Sequence, residues 1–209
     1  MKKISATFLS SKDIPKDLIK LNNTDVDYIH VDFMDGKFVK NRTLPFSEMK
    51  HIGEYTSKRL DVHLMVKNPS KYIPLFAELN TEFITFHVES DEDIIQNLER
   101  IKSYSIGCGL AISPETKVSS LIPYLPYLDI VLVMSVAPGK GGQSFILDTK
   151  KKITELRKLV ESYNFNILIN VDGGINADTK SLCCDADILT VGSYIINALD
   201  FQEKVSSLR

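Results

Sequence analysis

Eight short apolar runs, rich in β-branched residues, recur along the 209-residue chain at near-even spacing. They read KISATFL (3–9), VDYIHVDF (26–33), LDVHLMV (60–66), FITFHV (83–88), IGCGLAI (106–112), DIVLVMSV (129–136), NILINVD (166–172) and DILTVG (187–192). Between them lie stretches with helical spacing and helix-start signals. Ser70 precedes KYIPLFAEL, Ser90 and Asp91 precede EDIIQNLERIKSY, and Asp148 precedes TKKKITELRKLVESY. Strands that are almost continuously apolar are buried on both faces, and the helices between them supply the crossovers of a parallel sheet. Eight such units in a chain of this length predict an α/β fold, a single-domain (β/α)8 TIM barrel over residues 1–209. An open, doubly wound sheet is the alternative. No linker, low-complexity tract or repeat beyond the strand–helix period divides the chain.

Composition narrows the partners. Hydrophobic residues make up 44% and charged residues 25%, as in an ordinary soluble protein. The formal net charge is −2 and no basic block stands out, which argues against a nucleic-acid partner. Cys108, Cys183 and Cys184 form no CxxC pair and read as small apolar residues in a reducing cytosol. The start, MKKISATFLSS, is too short and polar for a signal peptide, and no run approaches the ~18 apolar residues that span a bilayer. A cytoplasmic protein without a membrane partner is expected; a homo-oligomer is left open.

In a barrel, functional residues collect where strands end and the following loops begin. The polar outliers at those ends are His30, Asp32 and Asp35 on the second strand, His63 beside Met65 on the third, and His87 and Glu89 on the fourth. On the seventh strand it is Asp172. A lone strand histidine is commonly a hydrogen-bonded core residue, and a lone strand-end aspartate commonly caps a turn. His30, Asp32, His63 and Asp172 together are harder to dismiss, because an isolated buried carboxylate costs several kcal/mol unless it is paired or metal-bound. Alternation puts His30 and Asp32 on one side of their strand, as two ligands of one ion require. Two imidazoles with two carboxylates suit one Zn²⁺, Fe²⁺, Mn²⁺ or Co²⁺ ion, not the all-oxygen shells of Ca²⁺ or Mg²⁺.

Glycines give a second signal. PGKGGQ (138–143), with Gly139, Gly141 and Gly142, follows the sixth strand. Gly173 and Gly174 follow the seventh, and Gly192 with Ser193 the eighth. Such loops turn tightly, and they also present backbone N–H groups to an anion, as the last loops of phosphate-binding barrels do. No arginine lies in them, so an expected phosphate would rest on amides of Gly141, Gly142, Gly174 and Gly192 and on Ser193.

The segments HVDFMDGKFVKN (30–41), LDVHLMV (60–66), VLVMSVAPGKGGQSF (131–145) and VDGGI (171–175) resemble the motifs of the ribulose-phosphate 3-epimerase family. The resemblance runs from ATFLSS near the start to VGS near the end. It implies a ribulose-phosphate-binding barrel with one divalent metal held by His30, Asp32, His63 and Asp172, and no organic cofactor. Asp32 and Asp172 would be the catalytic acid–base pair on opposite faces of C3 of a phosphosugar. The ion would chelate the C2 carbonyl and C3 hydroxyl oxygens and stabilise a planar enediolate. The implied substrate contacts are Thr7, His63, Met34, Met65, Met134, Gly139, Gly141, Gly142, Asp172, Gly173, Gly174, Gly192 and Ser193, with the methionines excluding water. The implied reaction interconverts D-ribulose 5-phosphate and D-xylulose 5-phosphate.

The chain departs from that pattern at several places. Thr7 stands for a usual serine, Lys40 for a proline, and Ala137 and Lys140 for an asparagine and a phenylalanine; the glycine expected soon after Asn41 is absent from NRTLPF. Two further readings stay open: the same chemistry on a six-carbon ketose phosphate such as allulose 6-phosphate, and a metal-free phosphosugar lyase or non-catalytic binding protein. Against the last, DVHLMV (61–66) lacks the lysine and second aspartate of the related decarboxylases, and no ligand or base is lost.

Overall fold

The computed structural model describes residues 2–90 and 93–209. All eight runs form strands: β1 (Lys3–Thr7), β2 (Tyr28–Met34), β3 (Arg59–Met65), β4 (Thr81–His87), β5 (Gly107–Ile112), β6 (Ile130–Met134), β7 (Leu168–Asp172) and β8 (Ile188–Val191). Each pairs in parallel with the next, and β8 pairs with β1, so the sheet is a closed barrel and the open-sheet alternative is excluded. Around it lie α1 (Ile14–Asn22), α2 (Phe46–Met49), α3 (Ile73–Ala77), α4 (Ile94–Ser103), α5 (Thr149–Ser162), α6 (Ser193–Ile196) and α7 (Phe201–Leu208). Among the described residues, no helix is long and apolar enough to cross a membrane.

The helix-start signals fared unevenly. Asp148 occupies the cap position of α5, but its carboxylate pairs with Lys151 (2.9 Å) and not with a backbone amide. Ser70 falls inside a 3-10 turn, Pro69–Lys71, and α3 begins only after Tyr72; Pro74, which has no N–H to give, fits the first turn there. Ser90 is not the cap of α4: Asp93 is, accepting the amide of Gln96 at 3.2 Å, while Asp91 lies outside the described residues. After β5 the crossover is a 3-10 segment, Val118–Tyr127, in which Pro123 and Pro126 break any α-helical ladder.

Strand alternation divides the side chains cleanly. Ile29, Val31 and Phe33 of β2, Val62 and Leu64 of β3 and Val131 and Val133 of β6 point outward into the main core beneath the helices. The inward set is layered. Tyr28, Phe83, Ile130 and Ile188, with Leu168, plug the bottom of the barrel, the Tyr28 and Phe83 rings meeting edge-on at 5.6 Å. Above them Ser5, His30, Asp61, Asn170 and Thr190 make a buried polar layer. Asp32, His63, His87 and Asp172 come last, at the C-terminal mouth.

Bulk in the plug is accommodated by its absence on β5. A Cβ on Gly109 would sit 2.5 Å from the Ile130 methyl carbon, 2.7 Å from the Ile130 carbonyl oxygen and 2.9 Å from Thr85 Oγ1. The Ile130 carbonyl oxygen is a backbone atom held by the sheet, so no rotamer change relieves that clash. Gly109→Ala is expected to destabilise the protein by about 1–3 kcal/mol through overpacking, read as a fall in the urea unfolding midpoint. An unchanged midpoint would mean that the barrel wall is looser than these distances.

Candidate metal centre and active site

The closed barrel brings the four candidate ligands together from three strands. His30 and Asp32 come from β2, His63 from β3 and Asp172 from β7, and one ligand atom of each lies within 4.8 Å of the others. Asp32 Oδ1 is 3.2 Å from His63 Nδ1 and 3.5 Å from His30 Nε2; Asp172 Oδ2 is 3.9 Å from His30 Nε2 and 4.0 Å from His63 Nδ1. His30 and His63 are fully buried, whereas Asp172 keeps 14% of its side chain exposed at the cavity floor. Thr7 Oγ1 donates to Asp32 Oδ2 at 2.7 Å, so the hydroxyl at this position holds the carboxylate whose other oxygen faces the cluster.

Each histidine is gripped from behind. His30 Nδ1 lies 2.9 Å from Asp61 Oδ2, which also accepts from Ser5 Oγ (2.8 Å) and Asn170 Nδ2 (3.0 Å), while Thr190 Oγ1 donates to Asn170 Oδ1 (3.0 Å). His30 therefore donates from Nδ1 and turns Nε2 toward Asp32 and Asp172. Nε2 is buried and has no hydrogen-bond partner among the described residues, and an orphaned buried nitrogen amid carboxylates fits a metal ligand. His63 Nε2 lies 2.9 Å from His87 Nε2, and His87 Nδ1 lies 2.9 Å from Glu89 Oε2.

The electrostatics call for a cation. Burial raises the pKa of Asp172 and the neighbouring Asp32 charge raises it further, to about 7. Burial acts the same way on Asp32, but His30 and His63 outweigh it and hold this carboxyl well below the usual range. Burial disfavours a charged His30, yet Asp61 and Asp32 together pull its pKa well above the ordinary value. For His63 burial wins, and the pKa falls to about 4. The carboxylates thus favour positive charge at His30, and a divalent ion would supply positive charge there with four ligand atoms already converged.

Above this floor opens a cavity of about 490 Å³. Thr7, Asp32, Met65, Met134, Gly139, Gly141, Gly142, Asp172, Gly173, Gly174, Gly192 and Ser193 all border it, as does Lys140, its one cationic side chain among the described residues. Met34 and His63 are not part of its lining, and both are buried. Gly174 has φ +63°, and a Cβ there would fall 2.4 Å from the Phe145 amide nitrogen, so only glycine lets the loops after β6 and β7 approach this closely. Residues that the sequence reading left without a role are Asp61, Asn170, His87 and Glu89. The available signal was spacing: Asp61 and Asn170 each sit two residues before a candidate ligand, on the same strand face.

Comparison with known proteins agrees with this geometry. A model described as the ribulose-phosphate 3 epimerase family matches residues 3–196. Ribulose-phosphate 3-epimerase of Chlamydia pneumoniae is 39% identical over 196 residues, covering 91% of this chain and 86% of that one. The enzyme of the same name from Bacillus subtilis is 34% identical over 209 residues, covering 99% and 95%. Among solved structures, 3-hexulose-6-phosphate synthase from Salmonella typhimurium superposes with a TM-score of 0.70 at 17% identity, covering 99% of this chain and 96% of that one, a likeness of fold alone. By the match over most of its length and by these relatives, the chain belongs to the ribulose-phosphate 3-epimerase family.

Proposed function

We propose that this protein interconverts D-ribulose 5-phosphate and D-xylulose 5-phosphate by inverting C3. The observation that carries the reading is the placement of Asp32 and Asp172. They stand three strands apart around the barrel on β2 and β7, both border one cavity, and their ligand oxygens lie within 4.8 Å of each other. Inversion needs a proton taken from one face of the carbon and another delivered to the opposite face, hence two positioned carboxyl groups. One aspartate accepts the C3 proton as the C–H bond breaks, and the other, protonated, returns one from the far side. After a turnover the proton has changed aspartates, and exchange with solvent or a reverse turnover resets the pair.

His30 Nε2, His63 Nδ1, Asp32 and Asp172 would hold the divalent ion, whether Zn²⁺, Fe²⁺, Mn²⁺ or Co²⁺. When bound, the ion supplies Lewis-acid stabilisation of the negative charge that develops beside the sugar's carbonyl. Met65 and Met134 present an apolar wall that keeps water from the reacting carbon. The phosphate would rest on amides of the loops bearing Gly141, Gly142, Gly174, Gly192 and Ser193, a cradle of dipoles. The intact set of two histidines and two aspartates favours this reading over a metal-free lyase or a non-catalytic protein.

Chelator treatment is expected to abolish turnover, and Zn²⁺, Co²⁺, Mn²⁺ or Fe²⁺ to restore it; full activity in metal-free protein would overturn the metal assignment. Asp32→Asn and Asp172→Asn should each lower epimerisation by roughly 10²–10⁴-fold, the usual scale of a general acid or base. Incubated in D₂O with each epimer, after their metal content is checked, the two variants should differ in which epimer exchanges its C3 proton. Equal exchange of both epimers by either variant would contradict the two-base mechanism. Lys140 is exposed at the cavity rim, so Lys140→Phe should raise KM by at most about fivefold at low salt. The effect should fade as ionic strength rises; KM that is unchanged at every salt concentration makes Lys140 a bystander.

A further inference from the structure

Behind His63 runs a hydrogen-bonded chain that leads away from the site. His63 Nε2 is 2.9 Å from His87 Nε2, and His87 Nδ1 is 2.9 Å from Glu89 Oε2. The other carboxylate oxygen, Oε1, accepts the Ser113 amide at 2.9 Å and the Thr116 hydroxyl. The turn that carries those two donors is itself fixed. Lys152 of α5 directs its ammonium at three of the turn's carbonyl oxygens, those of Ser113 (2.9 Å), Pro114 (2.6 Å) and Thr116 (2.8 Å). Phe38, from the loop after β2, lies over the His87 ring at 4.6 Å between centroids.

Donor–acceptor counting along this chain has one solution compatible with a metal. An ionised Glu89 only accepts, so the proton between it and His87 sits on His87 Nδ1. A neutral His87 then has a bare Nε2, which must accept, so His63 donates from its own Nε2. His63 is left with a bare Nδ1, the atom beside Asp32 and Asp172. In the opposite arrangement, with a proton on His87 Nε2, His63 would carry its proton on Nδ1 and offer the ion nothing.

We propose that Glu89 and His87 are positioning residues that hold His63 in the Nδ1-bare tautomer and thereby set the affinity of the centre for its ion. The proposal rests on the metal reading given above. Neither residue lines the cavity, so each acts through His63 and not on the sugar. Hydrogen-bond partners of metal-bound histidines commonly account for 10–100-fold in metal affinity. A role confined to packing would instead be kept by any side chain of similar bulk.

The test is the Zn²⁺ dissociation constant, measured by chelator competition, of the wild-type protein and of Glu89→Gln, His87→Phe and His87→Gln. ¹⁵N–¹H spectra of the Zn²⁺-loaded proteins accompany it. Glu89→Gln and His87→Phe should bind Zn²⁺ 10–100-fold more weakly, and the imidazole N–H signal of His63 Nε2 should weaken or vanish. His87→Gln places an amide oxygen near the former Nε2 and should recover part of the affinity. Should His87→Phe fail to fold, Glu89→Gln, which keeps shape and length, decides alone. Zn²⁺ binding within twofold of wild type in Glu89→Gln, with the N–H signal intact, would overturn the relay. A wild-type protein that takes up no Zn²⁺, Fe²⁺, Mn²⁺ or Co²⁺ would overturn the metal reading, and the relay with it.

Discussion

A buried carboxylate in the middle of the barrel organises what lies above it. Asp61 is 1% exposed, and its Oδ2 alone takes hydrogen bonds from Ser5 on β1, His30 on β2 and Asn170 on β7. A charge so placed is tolerable only if donors converge on it, and strand closure is what makes them converge. The same closure turns Nε2 of His30 toward the mouth and carries Asp172, two residues beyond Asn170, to the opposite wall. The polar layer and the candidate centre are thus successive storeys of one construction, each requiring the barrel to be shut.

The fold was legible in the sequence because its signal is short-range. β-Branched apolar runs and the alternation of helical segments depend on a few neighbouring residues, and all eight runs became strands. Alternation also foretold that His30 and Asp32 share a face, and the strand-end rule gathered His63 and Asp172 with them. Where the reading failed, the missing information was tertiary or competitive. Ser70 looks like a cap, but Pro69 and Pro74 on either side dictate a 3-10 turn and a later helix start. Asp148 could cap α5, yet Lys151 one turn on takes its charge. No local pattern says that Asp61 will meet Asn170, 109 residues away.

Local chemistry and family likeness contribute differently to the functional reading. The geometry supplies converging ligand atoms, two aspartates of opposed titration tendency, and a cavity whose far rim is glycine-rich. Those features are compatible with a metal site flanked by a pair of acid–base carboxyl groups. Family membership adds the identity of the reaction, which no distance in the site encodes. The departures at Lys40, Ala137 and Lys140 all lie in the loops after β2 and β6 and touch none of the two aspartates and two histidines of the cluster.

The loop after β2 also shapes the approach to the site. Asp35 accepts the amides of Lys37, Phe38 and Lys67, Phe38 lies on His87, and Asn41 donates to the Gly139 carbonyl at 2.8 Å. That side of the mouth is a fixed wall, and the cavity is bordered mainly by the loops after β1, β6, β7 and β8. Six glycines, Gly139, Gly141, Gly142, Gly173, Gly174 and Gly192, lie along that border, so main-chain atoms form much of the surface that a ligand meets there.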